Sequence, residues 1–163
     1  MQNFTIRLAN ASDLPTLGRL GAVLVKTHFD FDRQRFKAPM SGLEEGYAWF
    51  LGHRMKEPGA VVFVAERDQA ILGYVYAEME PESWKELRDE AGFIHDVVVD
   101  ASCRHGGIGA ALIETASEWL REQGAPRVIL STAEQNTGAQ RLFSRLGFRR
   151  TMIEMTREFP GKG

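Results

Sequence analysis

The chain holds one cysteine in 163 residues. An internal disulfide is therefore impossible, and a cysteine-rich zinc site or a stapled secreted scaffold is excluded with it. Proline is sparse at six residues, too few for a disordered chain. No apolar run approaches the roughly 20 residues that a bilayer span requires. The opening MQNFTIRLANASD has no basic flank and no long apolar segment, so it does not read as a signal peptide. Charge of one sign is also missing: 20 Lys and Arg stand against 22 Asp and Glu, for a net of -2. Such a balance argues against a general nucleic-acid binder but leaves room for a local basic loop. What is present is 44% apolar residues and 26% charged ones. These support one core of ordinary domain size. The expectation is one domain over 1–159 with a flexible tail at 160–163, cytoplasmic, with neither nucleic acid nor membrane as partner.

Phe4-Thr5-Ile6-Arg7-Leu8 alternates as a half-buried strand does. Ser12 or Asp13 then caps a helix carrying Leu14, Leu17, Gly21, Leu24, Val25 and His28 on one face, with Pro15 tolerated in its first turn. The aromatic run HFDFDRQRFKAP reads as a loop or short helix. Leu43, Tyr47, Phe50, Leu51 and Met55 mark a second helix, stopped near Pro58-Gly59. Residues 60–66 and 70–79 read as a hairpin, residues 80–91 as an acidic connection holding a helical turn, and 93–99 as the next strand. A strong helix follows at about 107–123, then a strand at 127–132. Thr137-x-x-Gln140 resembles a capping box for a helix that Gly147 ends. Phe148 to Phe159 reads as one or two final strands. Adjacent strands early and strand–helix–strand units later predict a mixed sheet with helices on both faces.

The most informative segment is VVVDASCRHGGIGAALIETASEWL at 97–120. It sets Arg104, Gly107 and Gly109 between a strand and a helix start. Glycines let amides approach an anion, and the helix start adds unpaired N–H groups and a positive dipole end. A glycine-rich helix cap without function has the same local pattern. Two nucleotide readings fail. The dinucleotide fingerprint requires a third glycine where Leu112 stands, and a P-loop requires a Lys-Ser/Thr that is missing here.

Arg104-His-Gly-Gly107-Ile-Gly109-Ala110 resembles the acyl-CoA signature R/Q-x-x-G-x-G/A of the GNAT family of N-acetyltransferases. Asn136-Thr-Gly-Ala139-Gln-Arg-Leu142-Phe143-Ser-Arg-Leu146-Gly147-Phe148 resembles the family's second landmark, an Asn after the next strand and a helix ending in Gly-Phe. The likeness covers roughly residues 4–158. It implies an α/β (α+β) GNAT fold with a mixed sheet of six to seven strands. It implies acetyl-CoA (coenzyme A) as acyl donor, and no metal. The pyrophosphate would be held by Arg104, His105, Gly106, Gly107, Ile108, Gly109 and Ala110. The pantetheine arm would bond the main chain near Val97, Val98 and Val99, whose side chains are also simple core candidates. This strand would splay from the one at 127–132 to open a slot. Asn136 would mark the cofactor side of its helix or merely cap it, and Ala139 would allow close approach. Phe143 departs from the pattern. Many members carry a Tyr there as the acid for the leaving thiolate, and Phe has no proton to give.

The chemistry requires a base or water relay to neutralise an ammonium. Histidine is the residue type suited to proton exchange near neutral pH, which makes His95 the first candidate for that role, with a structural histidine as the alternative. Glu78 is the second candidate, sharing a strand face with Tyr74 and Tyr76, which either line a pocket or pack under a helix. Asp96 would face the opposite side on a regular strand unless a bulge intervenes, and reads as a structural group or substrate anchor. His28, Phe29 and Phe31, with Tyr76, are candidates for the acceptor site, since aromatics beside carboxylates suit an amine with an apolar body. The same run could instead form a lid or dimer contact. Cys103 has no well-placed partner and reads as incidental, and no His/Asp/Glu spacing makes a metal site. The expected activity is transfer of an acetyl group from acetyl-CoA to a primary amine of a small molecule by direct attack. A protein or peptide N-terminus is the alternative acceptor, and a non-catalytic acyl-CoA-binding protein is the alternative class. A homodimer is compatible with such a domain, though no residue establishes it.

Overall fold

The computed structural model describes residues 3–161. Strand β1 (Thr5–Leu8) leads into a short 3-10 turn and helix α1 (Leu14–Phe31). The Asn10 side chain accepts from the Ser12 amide at 2.9 Å, while Asp13 accepts from the Asn10 amide at 2.8 Å. Reciprocal capping of this kind fixes the start of the 3-10 turn, so Asn10 is the cap in place of the expected Ser12 or Asp13, and Asp13 makes no side-chain cap bond to α1. Helix α2 (Leu43–Arg54) packs on α1. A Cβ at Gly21 would collide with the Tyr47 ring, so the missing side chain lets Tyr47 settle against α1.

The hairpin β2 (Ala60–Arg67) and β3 (Ala70–Glu80) precedes β4 (Ala91–Val99), helix α3 (Ile108–Glu122), β5 (Val128–Leu130) and α4 (Thr137–Arg145). The sheet runs β1-β2-β3-β4-β5, antiparallel except for the parallel β4–β5 pair. One face carries Val61, Val75, Ala77 and Ile94 against Ile108, Leu112, Ile113 and Leu120 of α3. The other carries Val62, Val64, Tyr74 and Val98 against Leu17, Leu20 and Leu51 of the first two helices. The period-2 pattern of the strands thus divides the core into two layers.

The mixed sheet with helices on both faces is as expected, but it holds five strands among the described residues, not six or seven. Residues 148–159 form no strand. Their main chain forms no ladder with any described strand, and a strand without a ladder is not stable. Helix α1 reaches Phe31, so His28, Phe29 and Phe31 stand on its last turns, and of the run expected as a loop or short helix the first part continues α1. Residues 81–90 of the expected connection form turns joined by a Ser83–Arg88 bridge in place of a helical turn, and its end residues Glu80 and Ala91 belong to β3 and β4. Of the expected tail, residues 162 and 163 lie outside the described residues.

In β4 the register passes from Tyr76–Asp96 to Ala77–Ile94, which leaves His95 without a partner. This is a bulge, and it re-aims the strand. Asp96 therefore does not face away from its neighbours as on a regular strand. Its carboxylate bonds Tyr74, whose ring lies in the core under α1 and α2.

Candidate active site

Pairing between β4 and β5 stops at Ile94–Leu130. Beyond it the two chains part around a cavity of about 310 Å³. Ile94, His95, Asp96 and Val97 line one wall, and Leu130, Ser131, Thr132, Asn136, Ala139 and Phe143 line the other. The Asp100 amide donates to the Leu72 carbonyl at 2.8 Å. By strand alternation the Val98 and Asp96 amides also turn toward β3, so those of Val97 and Val99 face the open side, past the end of the β5 ladder. The edge at Val97 and Val99 is thus free to bond an extended ligand. Val98 is committed to β3 and to the core, and its side chain is buried.

At the far end of this edge lies the glycine-rich turn. Gly107 has φ of 77°, left-handed backbone that a side chain would strain, and it begins α3. His105 also has positive φ, at 68°. The amides of His105 through Ala110 donate to no acceptor among the described residues. They are the unpaired donors that a helix start offers an anion. A Cβ on Gly109 would meet only Leu142 at 3.5 Å and Val99 at 3.8 Å, so the position is tight without being closed. Ile108 is buried and pins the turn to the core. Arg104 and Gly106 border a second hollow of about 390 Å³, which also touches Arg67 and Cys103. The opposite wall begins at Asn136, which caps α4 by accepting from the Ala139 amide at 3.2 Å. Phe143 packs its ring edge-on to Phe148 at 6.1 Å.

At the other end the bulge gathers polar groups. His95 Nε2 lies 3.0 Å from Glu80 Oε1, and its ring stacks between Tyr76 at 5.2 Å and Phe93 at 5.7 Å. It keeps 35% of its side chain in solvent, so proton exchange with water is open to it. Asp96 is 8% exposed and accepts from Tyr74 at 2.9 Å and from Tyr47 on the same oxygen. Burial pushes its carboxyl above the ordinary value, and the two phenols and the nearby His95 and His28 oppose the rise without cancelling it. Burial, followed by the charge of Asp96, holds the Tyr47 phenol well above its ordinary value, so it remains a donor. Glu78 differs. Burial pushes its carboxyl up, but hydrogen bonds from Tyr76 and Arg54 and the charge of Arg54 outweigh that and hold it below the ordinary range. A carboxylate tied up in this way is a weak base.

The structure brings His95, Tyr76 and Asp96 together with His28, which lines the slot. His28 donates from Nδ1 to the Leu24 carbonyl at 2.9 Å, and its ring meets Phe36 at 5.0 Å and Phe31 at 5.8 Å. Phe29 instead lies under the Arg33 guanidinium at 5.4 Å. Neither Phe29 nor Phe31 lines the slot. Sequence reasoning passed over Tyr47, Glu80, Arg54, Phe36 and Lys37. Tyr47 reads from sequence as one more apolar position of α2, and only the pairing of α2 with the sheet shows its hydroxyl at Asp96. Glu78, Glu80 and His95 hold ligand atoms within 4.8 Å of one another. That is a grouping the spacing did not show. Glu78 is already neutralised by Arg54 at 2.7 Å, and Glu80 is engaged with His95, so the cluster reads as an internal hydrogen-bond network. No helix among the described residues is long and apolar enough to cross a membrane.

A model of the acetyltransferase (GNAT) family matches residues 25–148. Among curated proteins the chain is similar to a mycothiol acetyltransferase of Thermomonospora curvata, 33% identical over 72% of this chain and 39% of that protein. It is also similar to an uncharacterized N-acetyltransferase of Methanocaldococcus jannaschii, 30% identical over 91% of this chain and 62% of that one. The chain thus spans between about two fifths and three fifths of these relatives' lengths. Among solved structures it resembles a Trypanosoma brucei acetyltransferase, with TM-score 0.69 and 26% identity over 96% of this chain and 99% of that one. An aminoglycoside N-acetyltransferase in complex with CoA shares the fold, with TM-score 0.74 and 17% identity over 96% of this chain and 94% of that chain.

Proposed function

Because the chain belongs to the acetyltransferase (GNAT) family, we propose that it transfers an acetyl group from acetyl-CoA to a primary amine of a small molecule. One observation carries this reading. The cavity past the end of the β5 ladder joins the free edge at Val97 to the polar cluster at the β4 bulge, and the unpaired amides of residues 105–110 lie beyond Val99 at the other end of that edge. The chain's own groups fit the donor: amides for a pyrophosphate, an open strand edge for an amide-bearing arm, and a narrow apolar wall at Ala139 and Phe143.

When bound, acetyl-CoA supplies an activated thioester, and the rest of the chemistry falls to the chain. Asp96 attracts the acceptor's ammonium into the slot, with Tyr47 and Tyr74 fixing its carboxylate. His95 takes the proton that the amine must lose. With Nε2–H donated to Glu80, Nδ1 is the basic nitrogen. Tyr76 and Phe93 hold the ring by stacking. Amides on the free edge of β4 offer donors to negative charge developing on the acyl oxygen. Phe143 gives no proton, so the sulfur is protonated by solvent that reaches the open slot or by a hydroxyl of Ser131 or Thr132 on its wall.

The test is acetyl-CoA-dependent thiol release across polyamines, amino acids, aminoglycosides and short peptides, with mass detection of the products. A gain of one acetyl group on a small amine supports the proposal. Acetylation of peptide N-termini alone would move the acceptor to the peptide class. Tight CoA binding with no product in any arm would turn the reading toward a binding protein.

A further inference from the structure

The slot is lined by one carboxylate, Asp96, and by one permanent cation, Lys37. Asp96 has a task in the proposed reaction, since it draws in the acceptor's ammonium. Lys37 has none. It is exposed, and it pairs with no carboxylate among the described residues. The acids before it are engaged. Asp30 pairs with Lys26 at 3.0 Å, and Asp32 accepts from the Gln34 and Arg35 amides at 3.0 and 3.2 Å. His28 and His95 also line the slot, but each has a ring nitrogen committed, one to the Leu24 carbonyl and the other to Glu80. Lys37 is thus the free positive charge of this cavity.

A lysine on an unanchored loop would carry little weight, but the residues that lead to this one are fixed. The Phe36 amide donates to the Asp32 carbonyl at 3.1 Å and closes a turn. The Phe36 ring meets His28 at 5.0 Å, and the Arg35 guanidinium lies over the same ring at 5.0 Å. Arg35 also grips Glu154 through two nitrogens, one at 2.9 Å. Lys37 follows directly. Beside it the wall is apolar, formed by Leu24, Val25 and Phe36. The cavity of about 310 Å³ is small for a ligand site, a class that starts near about 300 Å³, and the acyl end of the donor has to share it. A compact acceptor held there lies between Asp96 on the sheet side and Lys37 on the helix side. A molecule with several ammonium groups would find a single carboxylate and a lysine set against it.

We propose that the acceptor is a small zwitterion, with a primary amine and an anionic group (carboxylate or phosphate) on one compact, partly apolar body. Lys37 binds the anionic group and selects for it. The inference rests on the proposed acetyl transfer and names the class of molecule that the same slot takes.

The experiment measures acetyl-CoA-dependent thiol release with two acceptor pairs, leucine beside its carboxamide and ethanolamine phosphate beside ethanolamine. Spermidine is the polycationic control. Each pair keeps its amine and loses only the anionic charge. The unaltered chain is compared with Lys37→Met and Lys37→Glu, both at an exposed position. The intrinsic reactivity of each amine is the same for every enzyme, so it cancels when charged-to-uncharged ratios are compared between them. The ratio of kcat/KM should fall roughly tenfold in Lys37→Met. The change should sit in KM, because the contact is equal in ground and transition states. Lys37→Glu should lower the ratio further and raise the relative rate with spermidine. The pair that responds tells carboxylate from phosphate. A ratio equal in all three enzymes overturns the proposal, and so does acetylation confined to spermidine and the uncharged members. Absence of product with every acceptor removes the acetyl-transfer reading itself, and this inference with it.

Discussion

Replacing Tyr47 with Phe isolates one contact on which the polar cluster depends. The ring remains, packed against α1 at Gly21 and edge-on to Phe50 at 5.8 Å. Only the hydroxyl is lost, and with it one of two donors to a carboxylate that is 8% exposed. A hydrogen bond to a charged buried group contributes about 2 kcal/mol, so Tyr47→Phe should lower stability by about that amount. For a chain of this size the melting temperature should fall by roughly 4–8 °C. The pH dependence has a defined sign. The folded pKa of Asp96 is raised, first by burial, so its charged form costs stability, and that cost appears as pH rises through the folded value. Tyr47 reduces the cost. The deficit of the variant should therefore be full above that pKa and shrink as the carboxyl protonates in acid. Thermal melts of both proteins at several pH values measure it. Equal melting temperatures at alkaline pH, or a deficit that widens in acid, would refute the assignment of this hydrogen bond to a charged Asp96.

Three further outcomes follow from the same geometry. Gly109→Glu should fold, because a Cβ there meets its nearest neighbours at 3.5 and 3.8 Å, yet it should abolish CoA binding by bulk and charge; calorimetry that finds unchanged affinity would displace the pyrophosphate from this turn. His95→Ala should depress turnover more at pH 7 than at pH 9, where amines are less protonated, and an unchanged pH–rate profile would remove His95 as the base. Asp13→Asn should cost about 2 kcal/mol near neutrality, since Asp13 accepts from Arg7 at 2.8 and 3.0 Å and from the Asn10 amide. Arg7's hydrogen bonds hold the Asp13 carboxyl low against the opposing effect of burial, so its contribution is complete above the unfolded value of about 3.9 and lost as pH falls through the lower folded value; chemical denaturation at pH 7 and in strong acid should show the deficit vanish.

Much of this architecture was legible because its signals are local. The helical spacing of Leu14, Leu17 and Leu24, the hairpin around Asp68-Gln69 and the glycine turn at 104–110 each announce themselves within a dozen residues. The site was legible only in part, because the cluster at its centre is non-local. Tyr47 and Asp96 are 49 residues apart, and Arg54 and Glu78 are 24 apart. No periodicity joins such pairs. The bulge at His95 was equally hidden, since it is set by the pairing of β4 with β3 and not by the composition of either. At 148–159 the alternation of a strand is present and the strand is absent, because a pattern specifies a face but does not by itself place the segment on an edge. Phe29 and Phe31 share the aromatic character of His28 and Phe36, but rotation about α1 gives only His28 to the slot, and Phe36 reaches it from the loop beyond the helix.

The central claim is that acetyl-CoA enters between β4 and β5, and a crystal structure with CoA bound tests it most directly. The account predicts the pyrophosphate on the amides of 105–110, the pantetheine arm along Val97 and Val99, and the sulfur in the slot between His95 and Phe143. CoA bound elsewhere, for example in the hollow beside Arg67 and Cys103 with the slot empty, would contradict it.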